Sequence, residues 1–440
     1  MAEDFFSVGP GGPLRMTPPP LPPDSAIEVM RRAAAEVMEI RDITLGDGRF
    51  SLRIRGRLIV PSEKAFNYLR PRFEAVEHTP LLRHEDDVDV IRALPAVFGR
   101  EKPGTPWTAI LLLIATLISV FYVGVQGELY VPFLVALGYQ ITGNTPAAIP
   151  ANLLPTAAQF REALMTGGLY TLALLGILGT HEMGHYLVAR HYRVQTTLPY
   201  FIPLPFGILG TLGAVIAMRE PAPNRRIQFD IGVAGPLAGL IVAVPVMIVG
   251  LMLSEVTTTE AFIESLPQGV GAAILHEGQS LAYLGLKYLI FGRVLPSGDL
   301  DVWVHPVAFA AWAGFLVTAL NLLPVGQLDG GHVLYGLFGD KARRARGPVL
   351  AGLIVLATAG SLRDAGIIDL GFGWSGWWLW ILMITLLLRR HAPVLDEITD
   401  LDGKRRALGL FVLIVFILLF TPTPLTVSSI PSAALLHWPV

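Results

Sequence analysis

The sequence predicts a polytopic α-helical membrane protein of about seven spans with a small N-terminal α+β soluble domain. Two features of the composition indicate this class: 52% of the 440 residues are hydrophobic and only 15% are charged, whereas about 25% of the residues in an ordinary soluble domain are charged. The third observation is that the apolar residues after residue 106 are gathered into runs long enough to cross a bilayer.

The charge balance and the cysteine content exclude several partners and ligands. The formal net charge is −2. The chain therefore lacks the excess of basic residues that would indicate binding to nucleic acid. The chain has no cysteine, which excludes disulfides and leaves only nitrogen and oxygen ligands for a metal such as zinc.

The chain begins with a Pro/Gly-rich stretch, residues 1–23, which predicts an extended or disordered leader. An α+β accessory domain is predicted over 24–100. Asp24 or Ser25 is expected to cap a helix that ends near Glu39, and alternating residues predict a strand over 50–60. A second helix is expected after Pro61, followed by short strands within 73–91.

The membrane core is predicted over 107–390, and residues 391–440 are expected to form a C-terminal linker and one additional span. Lys and Arg number 14 in the loops on the side of the N-terminal domain and four in the opposite loops, so the N-terminus is predicted to be cytoplasmic. We expect an integral multi-pass protein of a bacterial cell (inner) membrane. The apolar pieces 131–141 and 281–291 look too short to cross and are expected at the interface. The expected spans are 107–125, 169–190, 230–254, 305–324, 347–362, 374–389 and 407–425.

Residues 199–218 are apolar but interrupted by proline and glycine, so a regular span is not expected there. Non-helical backbone at membrane depth requires cover by protein or by a water-filled cavity. A re-entrant β-hairpin near the metal would fit, and its edge could pair with an extended peptide. An ordinary connecting loop is the alternative.

The chemistry is concentrated in one apolar run, which contains His181, Glu182 and His185. On a helix the two histidines lie about 40° apart and one turn from each other, so both imidazoles can bind one metal ion. Glu182 lies about 60° from His185 and can reach a water at the metal as a general base. A histidine in an apolar helix is often a packed residue, but two histidines and a glutamate in a membrane span each need a partner.

A catalytic zinc site also needs a third protein ligand. His191 has the spacing of a metzincin ligand, but position 188 is Val rather than the Gly that would turn the chain. Glu220 lies among arginines in what the sequence predicts to be a solvated loop, where a surface ion pair is expected. Asp329 follows an apolar span that Pro324 interrupts, and a carboxylate in that setting needs a cation. A helix-capping role is its alternative.

Three segments together resemble the site-2 proteases, a family of intramembrane zinc metalloproteases. They are HEMGH at 181–185, FDIGVAGPLAG at 229–239 and NLLPVGQLDGGH at 321–332. The soluble N-terminal domain and the run PNRRIQFD at 223–230 are most similar to the chloroplast and cyanobacterial branch named for ethylene-dependent gravitropism deficiency and yellow-green leaves. The resemblance implies one Zn²⁺ on His181, His185 and Asp329, with Glu182 as the base. It also implies a substrate-binding role for Asn321.

The function expected from this resemblance is hydrolysis of a peptide bond in or near a transmembrane segment of a membrane-anchored protein substrate in the lipid bilayer. A zinc or other ion transporter could use the same buried ligands, but it gives Glu182 no required task. An inactive family member acting as a scaffold or chaperone is the other alternative. Gly235 and Gly239 form a small-x-x-x-small pair that predicts close helix packing and no more.

Overall fold

The structure is a computed structural model that describes residues 24–46, 50–98, 106–142, 156–258, 260–261, 273–386 and 394–429. The predicted leader, residues 99–105 before the first helix of the core and the last residues of the chain lie outside these ranges. Side chains of residues 126–142 also lie outside the described part, although their backbone continues a helix.

The N-terminal part contains two helices and one four-stranded antiparallel sheet. Helices α1 and α2 are Asp24–Ala35 and Ser62–Glu74. The strands have the spatial order β1-β2-β4-β3. Both helices pack on the apolar face of the sheet around buried Met30 and Phe73. The strands are β1 Met38–Leu45, β2 Leu52–Leu58, β3 Thr79–Glu85 and β4 Val88–Leu94.

The expectation that the first helix would continue to about Glu39 is wrong, because the helix ends at Ala35 and β1 begins at Met38. The segment MEIRDITL contains three β-branched residues, and it pairs along β2 from Met38 opposite Leu58 to Leu45 opposite Leu52. Long-range pairing and β-branched side chains here outweigh the helical pattern of the preceding residues.

Four helices in the described part of the chain are long and apolar enough to cross a membrane: Trp107–Val125, Ala157–His191, Arg225–Met252 and Asp329–Asp364. The first belongs to α3, Trp107–Thr142. The second and third are α4 and α5. The fourth joins α8, Asp329–Phe338, to α9, Arg346–Asp364, through a 3-10 turn at Gly339–Ala345. The structure is mostly helical and compatible with a membrane protein.

The predicted number of seven spans is not confirmed, because several of the expected segments form shorter helices. Pro306–Asn321, named α7, has 16 residues and is buried along most of its length. A helix enclosed by other helices does not need to match the bilayer thickness. The other short helices are α6 Leu281–Phe291, α10 Trp377–Leu386 and α11 Gly403–Leu419. The piece 131–141, expected to lie alone at the interface, is part of α3.

Residues 199–218 contain a β-hairpin, as the glycine and proline pattern predicted. Its strands are β5 Tyr200–Pro203 and β6 Thr211–Val215, and they pair antiparallel. Gly210 has φ +77°, and a Cβ there would lie 2.6 Å from the Cα of Val120 on α3. The hydroxyl of Ser119 donates to the carbonyl of Gly210 at 2.7 Å, so the hairpin is fixed against α3.

Two small sheets lie at one end of the helices. Strand β7, Glu255–Thr258, pairs with β9, Leu300–Trp303, and β8, Ala273–Glu277, pairs with β10, Leu425–Ser429. Strand β7 follows the C-terminal end of α5, and β10 follows the C-terminal end of α11. Both sheets therefore lie at the C-terminal ends of these two helices.

The N-terminal part contacts the helix ends on the other side. The NH of Leu82 donates to the carbonyl of Leu395 at 2.9 Å, and the NH of Glu397 donates to the carbonyl of Leu82 at 3.1 Å. The segment 394–397 therefore extends the sheet at the outer edge of β3. Arg83, which is buried, pairs with Glu397 at 3.2 Å and donates to the carbonyl of Val394 at 2.9 Å.

Candidate metal centre

Helix α4 presents His181 and His185 one turn apart, as their spacing predicts. Their Nε2 atoms lie 3.2 Å from each other, and the side chain of His181 is only 3% exposed. The helix can pack closely here because Gly184 faces α5: a Cβ at that position would lie 2.6 Å from the carbonyl oxygen of Ala234.

Asp329 is brought to the same point from the far end of the chain. Its Oδ2 lies 3.4 Å from Nε2 of His181 and 3.3 Å from Nε2 of His185. The chain reaches this position by folding back after α7, with Gly326 at φ +59°. A Cβ on Gly330 would lie 1.9 Å from the carbonyl oxygen of Leu322, so only glycine fits directly after Asp329.

The three side chains fit a zinc ion. Tetrahedral zinc with bonds of 2.0–2.1 Å requires its ligand atoms to be roughly 3.3 Å apart. The three separations here are 3.2, 3.3 and 3.4 Å. In addition, Nδ1 of His185 donates to the carbonyl of Ile231 at 2.7 Å. This bond leaves the lone pair of Nε2 free and directed at the common point, which is the usual arrangement of a histidine ligand.

Glu182 lies beside this group without belonging to it. Among the described residues, the group able to hold a metal consists of His181, His185 and Asp329. Glu182 is 7% exposed, and it directly follows His181 on α4. The carboxylate is therefore close to the three ligands while remaining available for proton transfer.

Asn321, the last residue of α7, also reaches the centre. Its Nδ2 lies 3.3 Å from Nε2 of His181. An amide at this distance can donate to an oxygen held beside the metal ligands.

The two other candidates for the third ligand lie elsewhere. The ring of His191 packs edge-on against that of Tyr192 at the end of α4. Glu220 accepts from Arg70 at 2.7 Å and from the backbone NH of Gln195 at 3.0 Å. The expected ion pair is present, but the expectation of a solvated loop is wrong, because docking of the N-terminal part leaves Glu220 only 5% exposed.

The sequence reasoning missed the direct role of two glycines in shaping the centre. A Cβ on Gly235 would lie 2.0 Å from Nε2 of His185, and one on Gly239 would lie 3.2 Å from Cβ of His181. The small-x-x-x-small spacing indicated close packing, but only the structure shows that the packed atoms are the imidazoles themselves.

Comparison with known proteins agrees with this geometry. Residues 169–359 match the family described as Peptidase family M50, and this range contains all five residues predicted for the site. The central part of the chain is therefore similar to peptidase family M50. The predicted resemblance to site-2 proteases is thereby confirmed.

Individual relatives are described as probable zinc metalloproteases. The chain is 31% identical over 293 residues to a protein of Arabidopsis thaliana described as probable zinc metalloprotease EGY2, chloroplastic, covering 66% of this chain and 48% of the relative. It is 30% identical over 330 residues to probable zinc metalloprotease EGY1, chloroplastic, of Oryza sativa subsp. japonica, covering 73% of this chain and 52% of the relative. The chain thus spans about half the length of these relatives.

These relatives also bear on location. Their descriptions place them in chloroplasts, so the predicted bacterial inner membrane is not confirmed. The match to the M50 family and the apolar helices together indicate an integral membrane protein.

Proposed function

We propose that this chain is an intramembrane zinc-dependent endopeptidase that cleaves a peptide bond in or near a transmembrane segment of a membrane-anchored protein. The observation that carries the proposal is the triangle of ligand atoms from His181, His185 and Asp329, with a buried glutamate beside it. The similarity to probable zinc metalloproteases supports the same reaction.

His181, His185 and Asp329 would hold the zinc, and Glu182 would act as the general base. When bound, zinc supplies a Lewis acid that polarises the scissile carbonyl and lowers the pKa of the attacking water. Glu182 takes a proton from that water and returns it to the leaving amine nitrogen. Asn321, whose Nδ2 lies 3.3 Å from Nε2 of His181, would donate a hydrogen bond to the substrate.

The substrate must be extended before it can be cut, because the amides of a transmembrane helix are bonded within the helix. The β5–β6 hairpin is our candidate for receiving the unwound strand. It packs against the helix that carries the two histidines, since a Cβ on Gly179 of α4 would lie 4.0 Å from Cζ of Phe201. Leu212 and Val215 on β6 are exposed.

We further propose that the N-terminal part faces the cytoplasm or the equivalent compartment. The ion pair of Arg70 with Glu220 and that of Arg83 with Glu397 join it to loops that carry the excess of positive charge. His185 lies six residues before the end of α4, which leads into these loops. Water would therefore enter from this side.

The decisive experiment replaces Glu182 by Gln in the full chain and measures zinc content together with proteolysis. We expect Glu182→Gln to keep bound zinc and to lose at least 100-fold in cleavage, because general-base catalysis contributes about 10²–10⁴-fold. Cleavage is followed by mass spectrometry of membrane proteins in cells that carry each variant. Glu162→Gln is the matched control, since Glu162 lies exposed on the same helix.

Undiminished proteolysis by the Glu182→Gln variant would refute the assignment of the base. Zinc flux in proteoliposomes without proteolysis would instead support a transporter. Bound zinc with neither cleavage nor flux would indicate an inactive scaffold.

A further inference from the structure

A polar network at the start of α5 connects the metal centre to the C-terminal helix α11. The guanidinium of Arg405 donates to both oxygens of Asp230, from Nε at 2.8 Å and from Nη2 at 2.7 Å. The hydroxyl of Tyr192, just beyond the end of α4, donates to Oδ2 of Asp230 at 2.6 Å. The bidentate pair of Arg405 with Asp230 fixes the relative orientation of the two side chains as well as their distance.

Asp230 directly precedes Ile231, the residue whose backbone carbonyl bonds to the proposed metal ligand His185. The carbonyl of Ile231 accepts the Nδ1–H of His185. A partner of this kind sets the tautomer and ring orientation of a histidine ligand. Ile231 lies in the first turns of α5, so its position depends on the position of that helix end. Arg405 fixes this end because it binds the side chain of Asp230.

Little movement of α5 is tolerable at this point. The helix backbone packs on the imidazole so closely that no side-chain atom fits at Gly235. Metal sites accept ligand displacements of only about 0.2 Å. Removal of a contact that holds α5 should therefore affect zinc affinity, even when the fold persists.

Helix α11 contacts both sides of the centre. A Cβ on Gly409 would lie 2.9 Å from the side chain of Leu337 on α8 and 3.0 Å from the ring of Phe229 on α5. Helix α8 begins with the ligand Asp329. One helix therefore packs against the helix that orients His185 and against the helix that supplies the carboxylate, although it lies beyond the residues that match the family.

We propose that Arg405 is a positioning residue of the metal centre, which acts through Asp230 and the Ile231 carbonyl on His185. This inference rests on the proposed zinc site, and it assigns part of that site to the C-terminal helix. Arg405 does not touch the ligands, so its effect is on metal affinity rather than on a chemical step.

The test compares Arg405→Ala with Arg406→Ala in the full chain purified in detergent. Arg406 is the neighbouring arginine, more than half exposed, and pairs with Asp400 at 2.6 Å. The helix cap survives both changes, because Asp402 accepts the backbone NH of residue 405. Zinc dissociation constants are measured by competition with a chelator, and thermal unfolding of the metal-free proteins checks folding.

We expect Arg405→Ala to weaken zinc binding about tenfold, the lower end of the range for loss of a ligand's hydrogen-bond partner, and Arg406→Ala to leave it unchanged. Asp230→Asn should weaken zinc binding similarly. The double variant should lose about tenfold rather than a hundredfold, because both residues act in one network.

A purely structural role would lower the unfolding temperature of the metal-free protein without changing the affinity of the folded fraction. Wild-type zinc affinity in folded Arg405→Ala overturns the inference. If Arg405→Ala fails to fold, the test uses Asp230→Asn, in which asparagine has nearly the same shape as the native aspartate. Wild-type zinc affinity in Asp230→Asn would then overturn the inference. Absence of zinc binding by the wild-type chain would be a different result, since it contradicts the proposed function itself.

Discussion

Gly235→Ala is the most direct test of the geometry of the metal centre. The added methyl carbon would lie 2.0 Å from Nε2 of His185, 2.4 Å from Cδ2 and 2.5 Å from Cε1. An ordinary contact requires about 3.5 Å. The imidazole would therefore have to move by about 1.5 Å, or the two helices would have to separate by a similar distance.

Neither adjustment is compatible with the observed site. The Nδ1 bond to Ile231 is 2.7 Å long, and the ligand atoms are 3.2–3.4 Å apart. A displacement of about 1.5 Å exceeds the tolerance of a metal site, about 0.2 Å, several-fold. We expect Gly235→Ala to weaken zinc binding by at least 100-fold, the upper end for loss of a ligand's hydrogen-bond partner, because here the ligand itself is displaced.

The assay is zinc competition with a chelator on detergent-purified full chain. Gly176→Ala on α4 is the control, since nothing lies within 4 Å of its added methyl group. Gly239→Ala should give an intermediate loss, because its nearest contacts are 3.2 Å to Cβ and 3.3 Å to Nδ1 of His181. Equal zinc affinity in the Gly235→Ala and Gly176→Ala proteins would refute the reasoning.

Two further predictions concern the junction between the N-terminal part and the helices. Arg83→Ala leaves the carboxylate of Glu397, whose side chain is 17% exposed, without its arginine. We therefore expect the free energy of unfolding to fall by about 2 kcal/mol, less than the ~3–5 kcal/mol for a fully buried pair. Limited proteolysis should release the N-terminal part faster than in an Arg72→Ala control, and equal rates would contradict the prediction. Burial also raises the pKa of Asp396 and of Glu397. The stability that these carboxyls contribute is therefore fully present below about pH 4 and is lost as the pH rises through their raised pKa values. Unfolding measured against pH should show this loss, and it should be smaller in Asp396→Asn; an identical pH profile for the two proteins would count against it.

The spacing of His181 and His185 contained enough information to predict their geometry, because helical periodicity fixes the angle between them. Asp329 lies 144 positions after His185 in the sequence, so its contact with the histidines could be predicted only from the chemistry of the residues and not from their spacing. An acidic group in an apolar segment requires a partner. Two histidines at ligand spacing elsewhere in the chain indicated that this partner is a metal ion shared with them.

The docking of the N-terminal part could not be predicted from the sequence. In the sequence Arg83 and Glu397 each look like ordinary surface charges, and Glu397 lies 314 positions after Arg83. Only the extension of the sheet by residues 394–397 brings them together. The role of Gly235 could not be predicted either. Its spacing from Gly239 predicts that a neighbouring helix packs closely at this position, but it does not indicate whether the packed side chain is an apolar residue or a metal ligand.

The polar contacts at the end of the bundle near the N-terminal part explain how three apolar helices keep a metal site in register. Apolar helices in lipid gain little from hydrophobic packing on one another, so polar contacts and small residues determine their relative rotation. Here Glu220 holds the backbone of Gln195 beyond α4, and Arg225 at the start of α5 donates to the carbonyl of Gly336 on α8 at 2.8 Å. With Arg405 on Asp230, α4, α5 and α8 each have a polar contact at or just beyond this same end. If the proposed zinc site is correct, its geometry depends on charged residues outside the apolar core, and a substitution at this end is expected to change zinc affinity without touching the ligands.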